Sequence, residues 1–243
     1  MHMIEVRNLR KAFGPVRAVS DVSFRAANGR ITGILGENGA GKTTTLALIC
    51  GLLRPDDGWV RVGPDDTSPI ERRRRLGALL DHKGLYERLT ARENIAYFGR
   101  LQGVLPCLLE RRVEDVLAQL DLTRIADRRV AGFSQGERMK VALGRAIVHS
   151  PAHVLLDEPT NGLDIPSVHG LREILRRMRD AGTCILFSSH VLEEVRALCD
   201  NVVIISSGRV VAQGEPADIC RRAGCTTLEE AFLALTDREA VCS

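Results

Sequence analysis

The sequence predicts an α/β fold, with a mainly parallel sheet, an antiparallel β part at its N-terminal end and a helical insertion. Three observations carry this. A full phosphate-loop motif, Gly36-Glu37-Asn38-Gly39-Ala40-Gly41-Lys42-Thr43, stands between a short apolar run, Ile31–Leu35, and an apolar helical segment at 44–53. From residue 154 onward, short apolar runs alternate with amphipathic helical stretches, the rhythm of parallel strands joined by right-handed crossovers. Between about 84 and 150 the strand pattern gives way to apolar residues at helical spacing.

Composition bounds the function classes. A chain of 243 residues, 44% hydrophobic and 4% aromatic, can bury the core of one large domain or two unequal lobes, and is neither disordered nor fibrous. No apolar run approaches the roughly 20 residues of a membrane span, and Met1-His2-Met3-Ile4 lacks the layout of a secretion signal, so a soluble, cytoplasmic chain is expected. Seven cysteines, odd in number and without C-x-x-C spacing, favour neither a disulfide framework nor a zinc site. A net charge of +3 is too small to imply nucleic acid, and the basic run at 72–75 reads as a solvated helix face beside Glu71.

Taken in order, strands are expected at 4–6 and 19–24, with an Asn28-Gly29 turn before the phosphate-loop strand. Phe13, between the first two, either stacks on a purine or plugs the strand layer; composition leaves both open. The helix at 44–53 is apolar nearly all round, and Arg54-Pro55-Asp56-Asp57-Gly58 stops it before strands at 59–62 and 76–80. Thr90 caps a helix expected to bury Ile95, Phe98 and Leu101, and Val113, Val116, Leu117 and Leu120 mark the next. Ser134 and Glu137 form a capping box for a helix with Met139, Ala142, Leu143, Ala146 and Ile147 on its apolar side. A strand at 154–156 ends in Asp157-Glu158-Pro159. A helix at 167–181 then leads to a strand at 183–187, which ends in Ser188-Ser189-His190. A helix at 191–198 and a strand at 202–205 follow.

Ligands of parallel sheets bind beyond the carboxyl ends of the strands, where Asp157, Glu158 and His190 fall. Glycines 36, 39 and 41 let backbone N–H groups turn around a triphosphate, and Lys42 adds a point charge at the β and γ phosphates. An acid closing a buried apolar strand is costly unless it meets a cation, so Asp157 and the Thr43 hydroxyl are expected to hold Mg²⁺. Glu158 is then free to activate water, and His190 to donate to the γ phosphate. No Asn-Lys-x-Asp segment supports guanine recognition, and a dinucleotide loop does not require Lys42-Thr43.

These residues, with Phe133-Ser134-Gln135-Gly136-Glu137 and the run Leu-Leu-Asp-Glu-Pro-Thr-Asn-Gly-Leu-Asp ending at Asp164, resemble the nucleotide-binding subunit of ABC transporters over nearly the entire chain. The resemblance implies a single ABC-type nucleotide-binding domain with the P-loop NTPase fold. Its RecA-like core lobe would span 1–83 and 151–220, its helical subdomain about 84–150 and a helical tail 221–243. It implies an ATPase using ATP and Mg²⁺, with two ATP sandwiched in a head-to-tail dimer, either a homodimer or a pairing with a second ATPase subunit. Ser134 and Gly136, matching the family's L-S-G-G-Q signature where Phe133, Gln135 and Glu137 depart from it, would face the γ phosphate bound by the other subunit, giving Ser134 a catalytic part. Phe13 looks like the adenine-stacking aromatic, Asp164 like the aspartate that crosses the dimer, and His190 like the switch histidine. Glu37, Asn38, Ala40 and Thr44 complete the nucleotide-contacting set. Asp81 stands where the family usually has a glutamine at the metal site, and is counted with Thr43 and Asp157.

The segments at 84–90 and 228–235 look like exporters of the ABC-2 type, especially the sodium-extrusion subclass. A multi-span permease partner and a place on the inner face of the cell membrane follow from the resemblance, with no nucleic acid expected. The alternative, a soluble ABC-type ATPase acting on ribosomes or DNA, needs a second cassette or a long coiled-coil insertion, and the sequence contains neither. A purely regulatory module is disfavoured by the presence of both Asp157 and Glu158.

Overall fold

A computed structural model describes residues 3–63, 68–80 and 84–241. Strands β1 (Met3–Phe13) and β2 (Val16–Ala27) form a long antiparallel hairpin, and β3 (Ile31–Leu35) runs into the phosphate loop and helix α1 (Lys42–Ile49). β4 (Asp57–Val62) returns antiparallel along β1, followed by α2 (Pro69–Arg75) and β5 (Leu76–Leu79). The helical region holds α3 (Ala91–Leu101), α4 (Pro106–Gln119) and α5 (Gln135–Ile147). The chain then continues through β6 (His153–Asp157), α6 (Ile165–Asp180), β7 (Cys184–Ser189), α7 (Leu192–Leu198), β8 (Asn201–Ser206), β9 (Arg209–Gly214), α8 (Pro216–Ala223) and α9 (Leu228–Val241).

Among the described residues the strands form one nine-stranded sheet in the order β4-β1-β2-β9-β8-β3-β7-β6-β5. The stretch β8-β3-β7-β6-β5 is parallel throughout, while β1, β2 and β4 form the antiparallel part. Successive residues of one strand enter opposite apolar clusters: Val154 and Leu156 pack toward the helical region, Leu155 toward α1 and the antiparallel strands. Burial on both faces is why these strands read as continuous apolar runs rather than as alternation. The β3, β6 and β7 ends therefore come side by side, with Asp157 paired to Ser188 and Leu35 to Ser189.

Several local expectations change. α1 ends at Ile49 rather than near residue 53, because Gly51 takes φ 69° and turns the chain, leaving Leu52 60% exposed. α3 buries Ala91, Asn94, Ile95 and Gly99, whereas Leu101 is 64% exposed and Phe98 only half-buried, its ring 4.0 Å from the Arg145 guanidinium. The cause is close packing at Gly99, where a Cβ would come within 2.5 Å of Leu109 Cδ1. A count of apolar residues gives a glycine no weight, so the buried face, which includes Ile95 as expected, is turned toward Gly99 and away from Leu101. β9 and α8 have no counterpart in the sequence reading; β9 pairs antiparallel with β8 through a Ser207-Gly208 turn. As expected, α2 buries none of its arginines.

Candidate active site at the phosphate loop

The loop is built by close backbone approaches. A Cβ on Gly36 would lie 2.4 Å from Ile205 O, and one on Gly41 2.3 Å from Ala18 O, so both positions admit only glycine. Gly39 and Gly41 supply the left-handed turns, at φ 84° and 101°, but Gly36 does not; its smallness makes room for β8. Behind the loop, Gly208 N–H donates to Ala40 O at 3.1 Å while its carbonyl accepts from Ser20 N–H at 2.8 Å. Ser206, Ser207 and Thr236 of α9 line a cavity of about 210 Å³ there with Glu37, Asn38, Gly39 and Ala40.

The N-terminus of α1 has no side-chain cap and no acid in its first turn. Its free N–H groups and helix dipole therefore suit an anion. Lys42, 5% exposed, donates from Nζ to Gly36 O at 2.9 Å and Glu37 O at 3.0 Å, and lies 3.6 Å from Glu158 Oε1. Thr43 is exposed at the mouth and donates from Oγ1 to Asp157 Oδ2 at 2.7 Å; Thr44 is half-buried beside it on α1. A hydroxyl and a carboxylate oxygen brought together next to a phosphate site fit a hard cation such as Mg²⁺, which takes oxygen ligands and completes its shell with phosphate and water.

Glu158 leaves β6 in a left-handed turn, φ 44°, and His190 Nδ1 is 3.1 Å from its Oε1. Ser188, buried between them, donates to Asp157 Oδ1 and accepts from Glu158 N–H at 3.0 Å. Ser188 has no part assigned from the sequence; the available signal is a hydroxyl at a strand end beside the strand that carries the carboxylates. Phe13 is 48% exposed at the end of β1, with Lys11 Nζ 5.7 Å from its ring centroid, so it does not plug the strand layer.

Ser134, Gly136 and Asp164 form a second group. Ser134 is exposed and caps α5 through the expected box, accepting from Glu137 N–H at 3.2 Å while Glu137 Oε2 accepts from Ser134 N–H at 2.8 Å. Gly136 packs on α6, where a Cβ would come 2.2 Å from Ser167 Oγ. Asp164 caps α6 by accepting from Ser167 N–H at 3.0 Å, and the Ser167 hydrogen bonds hold its carboxyl below the usual range. Among the described residues no hydrogen bond or ion pair joins these three to Lys42, Thr43, Asp157, Glu158 or His190. The link is the loop between them, where Asn161 N–H donates to Glu158 O at 3.1 Å and Gln135 Nε2 to Asn161 O at 3.3 Å. Asp81 lies outside the described residues.

Backbone donors closed by a lysine, with carboxylates at the adjoining strand ends, are what a phosphate-loop nucleoside triphosphatase requires. Residues 19–161 match the family described as ABC transporter, and the chain belongs to that family. The ABC transporter ATP-binding protein NatA of Bacillus subtilis (strain 168) is 48% identical over 202 residues, 82% of this chain and 82% of that protein. The Nod factor export ATP-binding protein I of Burkholderia lata is 37% identical over 229 residues, 93% of this chain and 75% of that protein. A solved ATP binding subunit of an ABC transporter, 32% identical, matches with a TM-score of 0.85 over 96% of this chain and 99% of its own. The chain is accordingly an ATP-binding and ATP-hydrolysing motor subunit of an ABC transporter. Among the described residues no helix is long and apolar enough to cross a membrane, and subunits of this kind work with a membrane permease.

Proposed function

We propose that this chain drives an ABC-2 type exporter and that its ATP is bound between two ATPase subunits arranged head to tail. The observation that carries the dimer is the separation of the two groups: Ser134 and Gln135 at the start of α5 are exposed and, among the described residues, bond nothing in the phosphate-loop group of their own chain. Ser134 N–H and Glu137 N–H are used within the capping box, so α5 offers the Ser134 hydroxyl proton and the N–H groups of Gln135 and Gly136 to an anion, which on this reading is the γ phosphate held by the second subunit. Export is supported by the similarity to the Nod factor export ATP-binding protein I of Burkholderia lata. The permease would hold the chain at the inner face of the cell membrane, and the surface assigned to it on this reading is a groove of about 210 Å³ lined by Leu52, Leu79, Phe98 and Arg145, with Leu52 exposed at its edge.

Within one site, the amides of Gly36 through Thr44 cradle the phosphates and Lys42 exchanges its bonds to Gly36 O and Glu37 O for the β and γ oxygens. Thr43 and Asp157 are the residues that would hold Mg²⁺, with Asp81 as a third candidate. When bound, the metal neutralises charge developing on the β and γ phosphates. Glu158 accepts the proton of the water that attacks the γ phosphorus, and His190, as the imidazolium, donates from Nδ1 to Glu158 and from Nε2 toward the γ phosphate. Phe13 stacks on adenine; Asp164, with one oxygen used as the α6 cap, offers the other across the dimer.

The test is Glu158→Gln, which keeps size and hydrogen bonding but loses the base. Hydrolysis should collapse by about 10²–10⁴-fold while MgATP binding survives, and light scattering should show the mass double on adding MgATP. A species that stays monomeric counts against the dimer; one that hydrolyses at the parent rate counts against Glu158.

A further inference from the structure

Ser188 closes β7 directly opposite Asp157 in the parallel register and is completely buried. Its hydroxyl is used in both directions at once, donating to Asp157 Oδ1 and accepting from Glu158 N–H at 3.0 Å. The same N–H also reaches the Ser188 carbonyl at 3.2 Å. Glu158 needs this support, because a side chain at φ 44° is disfavoured by its own Cβ. With the backbone pinned there, the carboxylate reaches His190 Nδ1 at 3.1 Å and Lys42 Nζ at 3.6 Å. Holding Oδ1 of Asp157 also leaves Oδ2 turned to Thr43, 2.7 Å away. The neighbouring Ser189 faces elsewhere, donating to Glu194 at 2.8 Å and accepting from Val191 N–H at 2.9 Å.

We propose that Ser188 is a positioning residue for ATP hydrolysis, whose one hydroxyl fixes the metal-binding carboxylate of Asp157 and the backbone of the base Glu158 relative to each other. The proposal rests on the reading of Asp157 and Glu158 given above. A misplacement of about 1 Å at a reacting group costs on the order of 10²-fold in rate, and no other side chain hydrogen-bonds both residues among the described residues. A hydroxyl that only satisfied buried polar atoms would affect stability but not the turnover of the folded protein.

The experiment compares full-length Ser188→Ala and Ser188→Thr with the parent and with Glu158→Gln. It measures melting temperature, ATP turnover, KM and, in nucleotide-free protein, hydrogen exchange of the Glu158 amide. Ser188→Ala should lower kcat by about 10–100-fold with KM for ATP changed less than about threefold, and Glu158 amide exchange should rise about tenfold. Ser188→Thr keeps the hydroxyl and should stay within about fivefold of the parent. Parent-like turnover in the folded alanine variant, or an unchanged Glu158 amide, overturns the proposal. If Ser188→Ala does not fold, the threonine variant decides: near-parent turnover with a protected Glu158 amide supports the proposal, and turnover as low as that of Glu158→Gln overturns it. A fully active Glu158→Gln would instead overturn the reading of the base. An inactive Glu158→Gln beside a fully active Ser188→Ala overturns only the part given to Ser188.

Discussion

His190 Nδ1 lies 3.1 Å from Glu158 Oε1, across the ends of neighbouring strands, and Lys42 Nζ lies 3.6 Å from the same oxygen. The carboxylate is thus held between two nitrogen groups. His190→Ala removes one of them and frees Glu158 to swing. Turnover should fall by about 10²-fold, with ATP affinity kept within about threefold. Single-turnover hydrolysis and calorimetric titration check it; turnover within twofold of the parent would show that the contact does not matter to the reaction.

Lys42→Ala should have two separable effects, because Nζ both meets phosphate and bonds Gly36 O and Glu37 O within the loop. MgATP affinity should drop by about 100-fold or more. Amides of the loop should exchange faster even without nucleotide, since two tethering bonds are lost. Unchanged ATP affinity by calorimetry would mean that the loop is not the nucleotide site.

Ser134→Arg blocks the exposed start of α5, and Lys42→Ala disables the phosphate loop, so each homodimer carries two damaged sites. A heterodimer of the two has one site with both lesions and one intact. In an equal mixture about a quarter of all sites should therefore recover. ATPase assays over a range of mixing ratios read this out. No recovery, with heterodimers shown to form, would place the action of Ser134 in its own chain.

Glu5 supplies a pH dependence away from the site. It is 3% exposed beneath three arginines, with Arg25 at 2.8 Å, Arg7 at 3.0 Å and Arg61 bonded to its other oxygen. The Arg25 and then the Arg61 hydrogen bonds hold its carboxyl from 4.5 down to about 2. A lowered carboxyl stabilises the fold above its unfolded value, and that contribution is lost as pH falls from 4.5 toward about 2. Glu5→Gln should accordingly be less stable than the parent near neutral pH, with the gap closing over that acid window. Urea midpoints measured through the window test it; a gap that stays constant with pH would exclude Glu5 as its source.

The sequence by itself determined whatever depends on neighbours along the chain. The phosphate loop is legible because its anion site is made of consecutive backbone donors. The Thr90 cap and the Ser134–Glu137 box are legible because their bonds span three residues, and both form as expected, with Glu93 completing a box at Thr90 as well. Asp157 could be assigned to a strand end because Val154, Leu155 and Leu156 are apolar on both faces.

Only the tertiary structure decided what depends on which strands lie side by side. Ser188 meets Asp157 across 31 residues because β6 and β7 pair in register. Gly36 is required by Ile205 O of β8, and Gly208 supports Ala40 from a hairpin that the sequence did not reveal. Phe13 proved exposed rather than a plug, and α3 turned its Gly99 inward against Leu109. Each of these is a contact between segments distant in sequence, and local propensity carries no information on such contacts until the order and register of the sheet bring the partners together.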